Sequence, residues 1–200
     1  MFISFEGTEG VGKTTLIQGL ATALREQGVE LVLTREPGGT PLAERIRELL
    51  LVNDDEPVDR HCELLLLFAA RAQHLAEVIQ PALALGKWVL CDRFIDASFA
   101  YQCGGRGLAH TQVQSLVDQF VPILPNLTFW LDAPIELGMA RATARGALDR
   151  FEQERMAFFE RVHAEYVTRA QADPQRIRRL DATLPQDQVL AQALAYCVDL

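Results

Sequence analysis

Short apolar runs alternate along this chain with longer stretches in which apolar residues recur at helical spacing. The runs at 2–5, 30–34, 88–91, 127–131 and 176–180 predict strands, and the intervals predict helices over 13–27, 41–51, 58–85, 111–120, 134–144, 151–172 and 187–198. Strand and helix in regular alternation is the rhythm of a parallel sheet wrapped by helices, an α/β fold. Pro41 and Pro134 suit first-turn positions, and Asp59 and Asp187 suit helix starts. The stretch 63–70 is apolar almost all round, which predicts a helix covered on most sides by other elements or by a partner subunit.

The chain has 200 residues, 49% of them apolar, enough for one core. It shows no repeat and no Pro/Ser-rich linker, so a single domain over 1–200 is expected. The first apolar strand runs directly into a glycine-rich turn, so no signal peptide is expected. The longest apolar run, 64–70, is far shorter than the ~20 residues that span a bilayer. A cytoplasmic protein with no membrane partner is the expectation. A formal net charge of −8 argues against a surface for polymeric nucleic acid, which needs a sustained basic face. Cys62, Cys91, Cys103 and Cys197 form no CxxC pair, so neither a zinc site nor a disulfide framework is suggested. The lysines are Lys13 and Lys87, so nearly every cation is an arginine, whose planar fork suits phosphate. Codon usage in a GC-rich genome explains that bias equally well.

Chemistry enters with Gly7-Thr8-Glu9-Gly10-Val11-Gly12-Lys13-Thr14-Thr15, a full match to the P-loop pattern GxxxxGK[ST], set between a predicted strand and a predicted helix. Glycines let backbone N–H groups curl around a β-phosphate, the lysine reaches the β and γ oxygens, and the following hydroxyl holds Mg²⁺. This alone leaves kinase, GTPase, motor and regulatory ATPase open. The asparagines are Asn53 and Asn126, and neither precedes a lysine, which disfavours a guanine-reading GTPase. Asp92 and Arg93 end an apolar strand at the edge where open α/β sheets bind ligands, so Asp92 suits a magnesium-bound water and Arg93 a phosphoryl group. Arg35, in Thr34-Arg35-Glu36-Pro37-Gly38-Gly39-Thr40, reaches the same edge. Two arginines away from Lys13 suggest a second anionic ligand, and hence transfer between two bound phosphorylated molecules. The arginine-rich stretch 141–155 reads either as a solvated helical face with i,i+4 pairs or as a lid that closes over the phosphates.

With these residues in view the chain resembles bacterial thymidylate kinases along essentially its whole length. The matching segments are the P-loop, Thr34 to Thr40, Phe68-Ala69-Ala70-Arg71, Cys91-Asp92-Arg93-Phe94, Tyr101-Gln102-Cys103-Gly104-Gly105-Arg106-Gly107, Arg145-Gly146-Ala147-Leu148-Asp149-Arg150 and Leu180-Asp181-Ala182-Thr183. The resemblance implies ATP-dependent phosphorylation of dTMP to dTDP, a three-layer P-loop fold with a five-stranded parallel core, Mg²⁺, and a homodimer. It implies that Gly7 to Thr15 hold ATP, with Arg141 against the adenine and backbone around Ala182 reading its edge. For dTMP it implies Arg35 and Arg93 on the phosphate, Pro37 and Arg47 close by, Arg71 donating to thymine O4, and Ser98 and Gln102 on the other polar edge. Tyr101 then lies beneath the deoxyribose C2′, and Glu9 beside the acceptor sugar and phosphate. Thr14 and, through water, Asp92 would hold the metal.

Two positions depart from the family pattern. The aromatic that stacks on the base commonly stands four residues before the O4-binding arginine, which is Leu67 here. Phe68, three before Arg71, shares a helix face with it and is expected to take the role. Cys103 replaces a frequent glycine and is read as tolerated variation. The variable P-loop positions Thr8, Glu9, Gly10 and Val11 carry no cation, so charge on the transferring group has to be met from the lid. The resemblance makes Arg145 the candidate for transition-state stabilisation, beside Lys13, Arg93 and Glu9 in the catalytic set, with Arg150 assisting. Another nucleoside monophosphate kinase of the same fold, or a regulatory P-loop ATPase, are the alternatives. The second would leave Arg35, Arg93 and the Arg71 segment without a role.

Overall fold

The computed structural model describes residues 1–52, 56–145 and 149–197. Five strands, β1 (Phe2–Glu6), β2 (Leu31–Arg35), β3 (Trp88–Asp92), β4 (Leu127–Asp132) and β5 (Ile177–Asp181), form one parallel sheet in the order β2-β3-β1-β4-β5. Each strand ends on a charged residue that the apolar runs did not include: Glu6, Arg35, Asp92, Asp132 and Asp181. Hydrophobicity finds the buried length of such a strand and stops short of the polar carboxyl edge, where ligands of open α/β sheets bind.

Helices α1 (Lys13–Glu26) and α9 (Gln186–Cys197) contact each other, and their apolar residues join one core cluster with Ile3, Phe5, Leu90 and Phe129. A second cluster unites Phe2, Val89 and Cys91 with α3 (Arg60–His74), α4 (Gln80–Ala84) and α6 (His110–Phe120). A third joins Trp130 to α8 (Met156–Ala172). The remaining helices are α2 (Pro41–Leu51), α5 (Ile95–Ser98) and α7 (Ile135–Arg145). Thr40 caps α2 by accepting Ala43 N–H at 3.1 Å, and Asp59 caps α3 through His61 N–H at 2.8 Å.

Three helical expectations change. The single helix expected over 58–85 is α3 and α4 joined by a π-helical segment, Leu75–Ile79. Pro81 lacks an N–H and crowds the preceding turn, which a widened turn accommodates. The helix expected from 151 begins at Met156, because the Asp149 carboxylate accepts Phe151 and Glu152 N–H, both at 2.9 Å, and closes a separate turn. The interval 95–105, for which no helix was predicted, is α5 followed by a π-helical segment, Phe99–Gly105, packed on α8. Its glycines hide the pattern and make the packing possible: a Cβ on Gly105 would meet the Phe158 ring at 2.4 Å. On α3, Leu65 and Ala69 are exposed, so one stripe of the all-round apolar stretch stays uncovered within this chain.

Candidate active site

β1 delivers the chain to Gly7 at the carboxyl edge of the sheet and α1 carries it away, so the loop N–H groups and a helix N-terminus converge on one point. Lys13 is buried and its Nζ donates to Gly7 O at 3.1 Å and Thr8 O at 2.8 Å. Burial, and next the charge of Arg93, draw its pKa down to about 8. A phosphate oxygen in the loop would reverse that shift by giving the ammonium an opposite charge. The loop lies against α7 at a contact between two glycines. A Cβ on Gly10, whose φ is +67°, would meet Gly138 O at 2.0 Å, and one on Gly138 would meet Glu9 O at 2.4 Å.

From the loop opens a cavity of about 640 Å³ that gathers most of the expected residues: Glu9 to Thr15, Arg35, Pro37, Arg47, Arg71, Asp92, Arg93, Ser98, Tyr101, Gln102 and Arg141. The end nearest β2 and β3 is cationic. Arg35 pairs with Glu44 at 2.8 Å and Arg47 donates to Pro37 O at 3.0 Å. Burial, and then Arg35, lower the pKa of Arg47, the signature of guanidinium groups with too little negative charge among them. Arg93 stands at a left-handed φ of +67° as β3 ends, and donates to Glu9 Oε1 at 2.8 Å across the Tyr101 ring, 4.8 Å from its centroid. The Tyr101 hydroxyl completes the clamp on Glu9, at 2.7 and 2.8 Å from its two oxygens. Burial opposes the Arg93 charge, but Tyr101, Glu9, Tyr166 and Asp92 outweigh it and hold the pKa well above the ordinary value.

The other end is a polar slot around Arg71, which is 3% exposed and held through each of its three nitrogens. Its Nε donates to Glu36 at 2.7 Å, Nη1 to Ser98 Oγ at 3.0 Å and Nη2 to Phe94 O at 3.2 Å. Gln102 is fixed by its Nε2, 2.9 Å from Glu63. Leu67 lines this cavity and Phe68 does not. Phe68 belongs to the α3 side of the core, with the Arg71 guanidinium 4.7 Å above its ring. Positions one apart on a helix differ by about 100° in direction, and here Leu67 turns to the cavity while Phe68 turns into the core. The aromatic supports the arginine from behind, and the aliphatic neighbour faces the slot.

Asp92 Oδ1 is buried and has no hydrogen-bond partner among the described residues, and Thr14 lines the same cavity. A carboxylate and a hydroxyl are the hard oxygen donors that Mg²⁺ accepts, so the residues present fit that ion. Other expectations fall elsewhere. Ala182 is buried against the α1–α9 core and its N–H donates to Asp132 O at 2.8 Å, so it is not brought into the cavity. Gly7 and Thr8 turn carbonyls to Lys13 and do not line it. Arg145 ends α7, but its side chain lies outside what the structure describes, as do residues 146–148. Arg150 donates to the buried Glu63 at 2.7 Å and does not line the cavity.

Sequence reasoning missed the buried acids that orient the arginines. Glu36 holds Arg71 and also lies 3.1 Å from His74 Nδ1. Glu6, directly before the loop, accepts Phe94 N–H and the Tyr166 hydroxyl, both at 2.8 Å. Glu6 had a signal, a charge closing an apolar strand. So did Gly138, a glycine inside a helical pattern, which marks a close approach.

The thymidylate kinase family model matches residues 5–193. A thymidylate kinase of Acinetobacter baumannii (strain SDF) is 64% identical over 197 residues, covering 98% of this chain and 99% of that one. One from Pseudomonas syringae pv. syringae (strain B728a) is 58% identical over 201 residues, covering 100% and 93%. The crystal structure of thymidylate kinase from Ehrlichia chaffeensis superimposes with a TM-score of 0.83 at 33% identity, covering 98% of each chain.

Proposed function

The chain belongs to the thymidylate kinase family, an enzyme of dTMP phosphorylation with ATP as donor, and we propose that the cavity beside the P-loop is where it carries out that transfer. The observation that carries this reading is the division of the cavity: a P-loop at one side, and at the other a cationic cluster next to a slot built on Arg71. Two phosphorylated molecules fit such a site, and one does not use it all.

Phosphoryl transfer asks the protein for alignment and charge more than for covalent chemistry. The P-loop N–H groups and Lys13 take the donor β and γ oxygens. Thr14 and Asp92 would hold Mg²⁺, which when bound neutralises phosphate charge. Arg93, Arg35 and Arg47 grip the dTMP phosphate, with Pro37 shaping the turn between them. Arg71, Ser98 and Gln102 meet the polar edge of thymine and Leu67 lies against its ring, with Phe68 acting through Arg71. Tyr101 underlies the sugar, where a ribose hydroxyl would crowd it, and aligns Glu9 beside Arg93. The acceptor phosphate is ionised near neutral pH and requires no general base. Arg141 takes the adenine side. Arg145, carried by α7 from the loop contact at Gly138, supplies charge to the transferring group, and the lid over 141–155 belongs to one kinase unit spanning the chain.

A homodimer is part of this reading, supported by exposed Leu49, Leu65 and Phe120 on the neighbouring helices α2, α3 and α6. Freely diffusing nucleotide substrates support a cytoplasmic location, and among the described residues no helix is long and apolar enough to cross a membrane. The test is ADP release with Mg-ATP across a panel of dTMP, dUMP, UMP and dCMP. A clear preference for dTMP is expected, and equal rates across the panel, or ATP hydrolysis indifferent to any monophosphate, would refute it.

A further inference from the structure

Glu63, near the start of α3, has no exposed surface, and it lies between the nucleotide slot and the turn that Asp149 closes. Its Oε1 accepts Gln102 Nε2 at 2.9 Å, both oxygens lie 3.2 Å from Arg106 Nε, and Oε2 accepts Arg150 Nη2 at 2.7 Å. Two guanidinium groups balance a carboxylate that would otherwise be costly to bury. Paired with two guanidinium groups, the Glu63 carboxylate presents acceptor oxygens to its neighbours. The amide of Gln102 must therefore turn its NH₂ toward Glu63. Rotating the amide would set carbonyl oxygen against carboxylate oxygen in a site with no water-exposed surface on either residue beyond 1%. This leaves Gln102 Oε1, an acceptor, to serve the cavity that Gln102 lines beside the donors of Arg71.

An acceptor next to a donor matches a pyrimidine with N3–H beside a C4 carbonyl. It mismatches one with a bare N3 beside an amino group, which offers the reverse pattern at both positions. We propose that Glu63 is a positioning residue that sets base specificity: by fixing the Gln102 amide it selects keto pyrimidines over amino pyrimidines. The proposal rests on the reading that Gln102 meets the base. Arg106 and Arg150 serve it by balancing the buried carboxylate, so the same acid that orients the base reader also anchors the turn that Asp149 closes.

The experiment compares KM for dTMP with the inhibition constant of dCMP in wild type, E63Q, Q102L and the double variant. The neutral amide of E63Q presents either an oxygen or an NH₂ to Gln102, so the obligatory orientation is lost. The dCMP-to-dTMP ratio is expected to fall about ten-fold in E63Q, through KM more than kcat. In the Q102L background E63Q is expected to change the ratio no further, because its effect runs through the missing amide. An E63Q ratio equal to wild type overturns the proposal, and so does an equal fall in both backgrounds. Should Q102L alone leave the ratio at the wild-type value, the base-reading role of Gln102 fails first, and the route through it falls as well. If E63Q does not fold by thermal melting, E63D carries the test: the charge remains but is withdrawn by one methylene, and a wild-type ratio in that variant refutes the role.

Discussion

Glu6 shows how much one buried acid under the P-loop controls. It has no exposed surface, and burial together with nearby Asp96 lifts its pKa from an ordinary 4.5 to about 7. The folded chain thus holds this proton more tightly than the unfolded one. Stability from it is complete below about pH 4.5 and is lost as pH rises toward 7. Replacing Glu6 by Gln should flatten that segment, changing the wild-type-minus-variant difference by up to roughly 3 kcal/mol between pH 4.5 and pH 7. Urea denaturation across that range measures it, and parallel curves for the two proteins would contradict it. The same residue explains why Arg93 tolerates a left-handed backbone. The chain turns there to bring Phe94 N–H onto Glu6, and the guanidinium swings toward Glu9. The charge at the end of an apolar strand is plain in the sequence, but its burial and partners are not.

At the scale of elements, the decisive contact is between the P-loop and α7. A glycine at 138 has a cost in an isolated helix, where alanine would be favoured by about 1 kcal/mol. Here a Cβ would stand 2.4 Å from the Glu9 carbonyl, so Gly138→Ala must push the loop off its seat. Misplacement by a fraction of an ångström at a phosphate cradle is expensive, and kcat/KM for ATP should fall by about 10²-fold, with the helix itself no less stable by circular dichroism. Normal ATP kinetics in that variant would show that the loop finds its position without α7. Regular elements were legible because their periodicity is local. The π-helical segments at 75–79 and 99–105 were not, because each depends on a distant event: a proline ring crowding its preceding turn, or α8 packing onto glycines. The choice between Leu67 and Phe68 was likewise undecidable from spacing, since both offsets from Arg71 share a helix face, and only the packing of α3 shows which one turns inward.

For the whole molecule, α3 joins two surfaces. Its inner side bears Glu63, Leu67 and Arg71, and its outer side bears Leu65, 59% exposed, while α2 and α6, which both contact α3, expose Leu49 at 60% and Phe120 at 50%. An apolar stripe of this kind on the helix that carries the nucleotide slot fits burial against a second copy. If the proposed homodimer forms through this face, Leu65→Glu should lower the mass in sedimentation equilibrium to that of a monomer, since a carboxylate buried opposite its own symmetry mate is strongly unfavourable. An unchanged mass at the same concentration would remove this face from consideration.

The order of strands and helices, the P-loop and the set of arginines are all written in local pattern, because they depend on periodicity, turn chemistry and motif spacing. The resemblance of separated motifs added the reaction. Tertiary structure alone decided which acid each arginine faces, that Ala182 lies in the core, and that Glu63, 39 residues from Gln102 in sequence, dictates how that amide points. Such pairings arise where burial removes water as the alternative partner. Most buried polar groups then find their complement in whatever the fold brings near, and no local pattern in the chain records that neighbour.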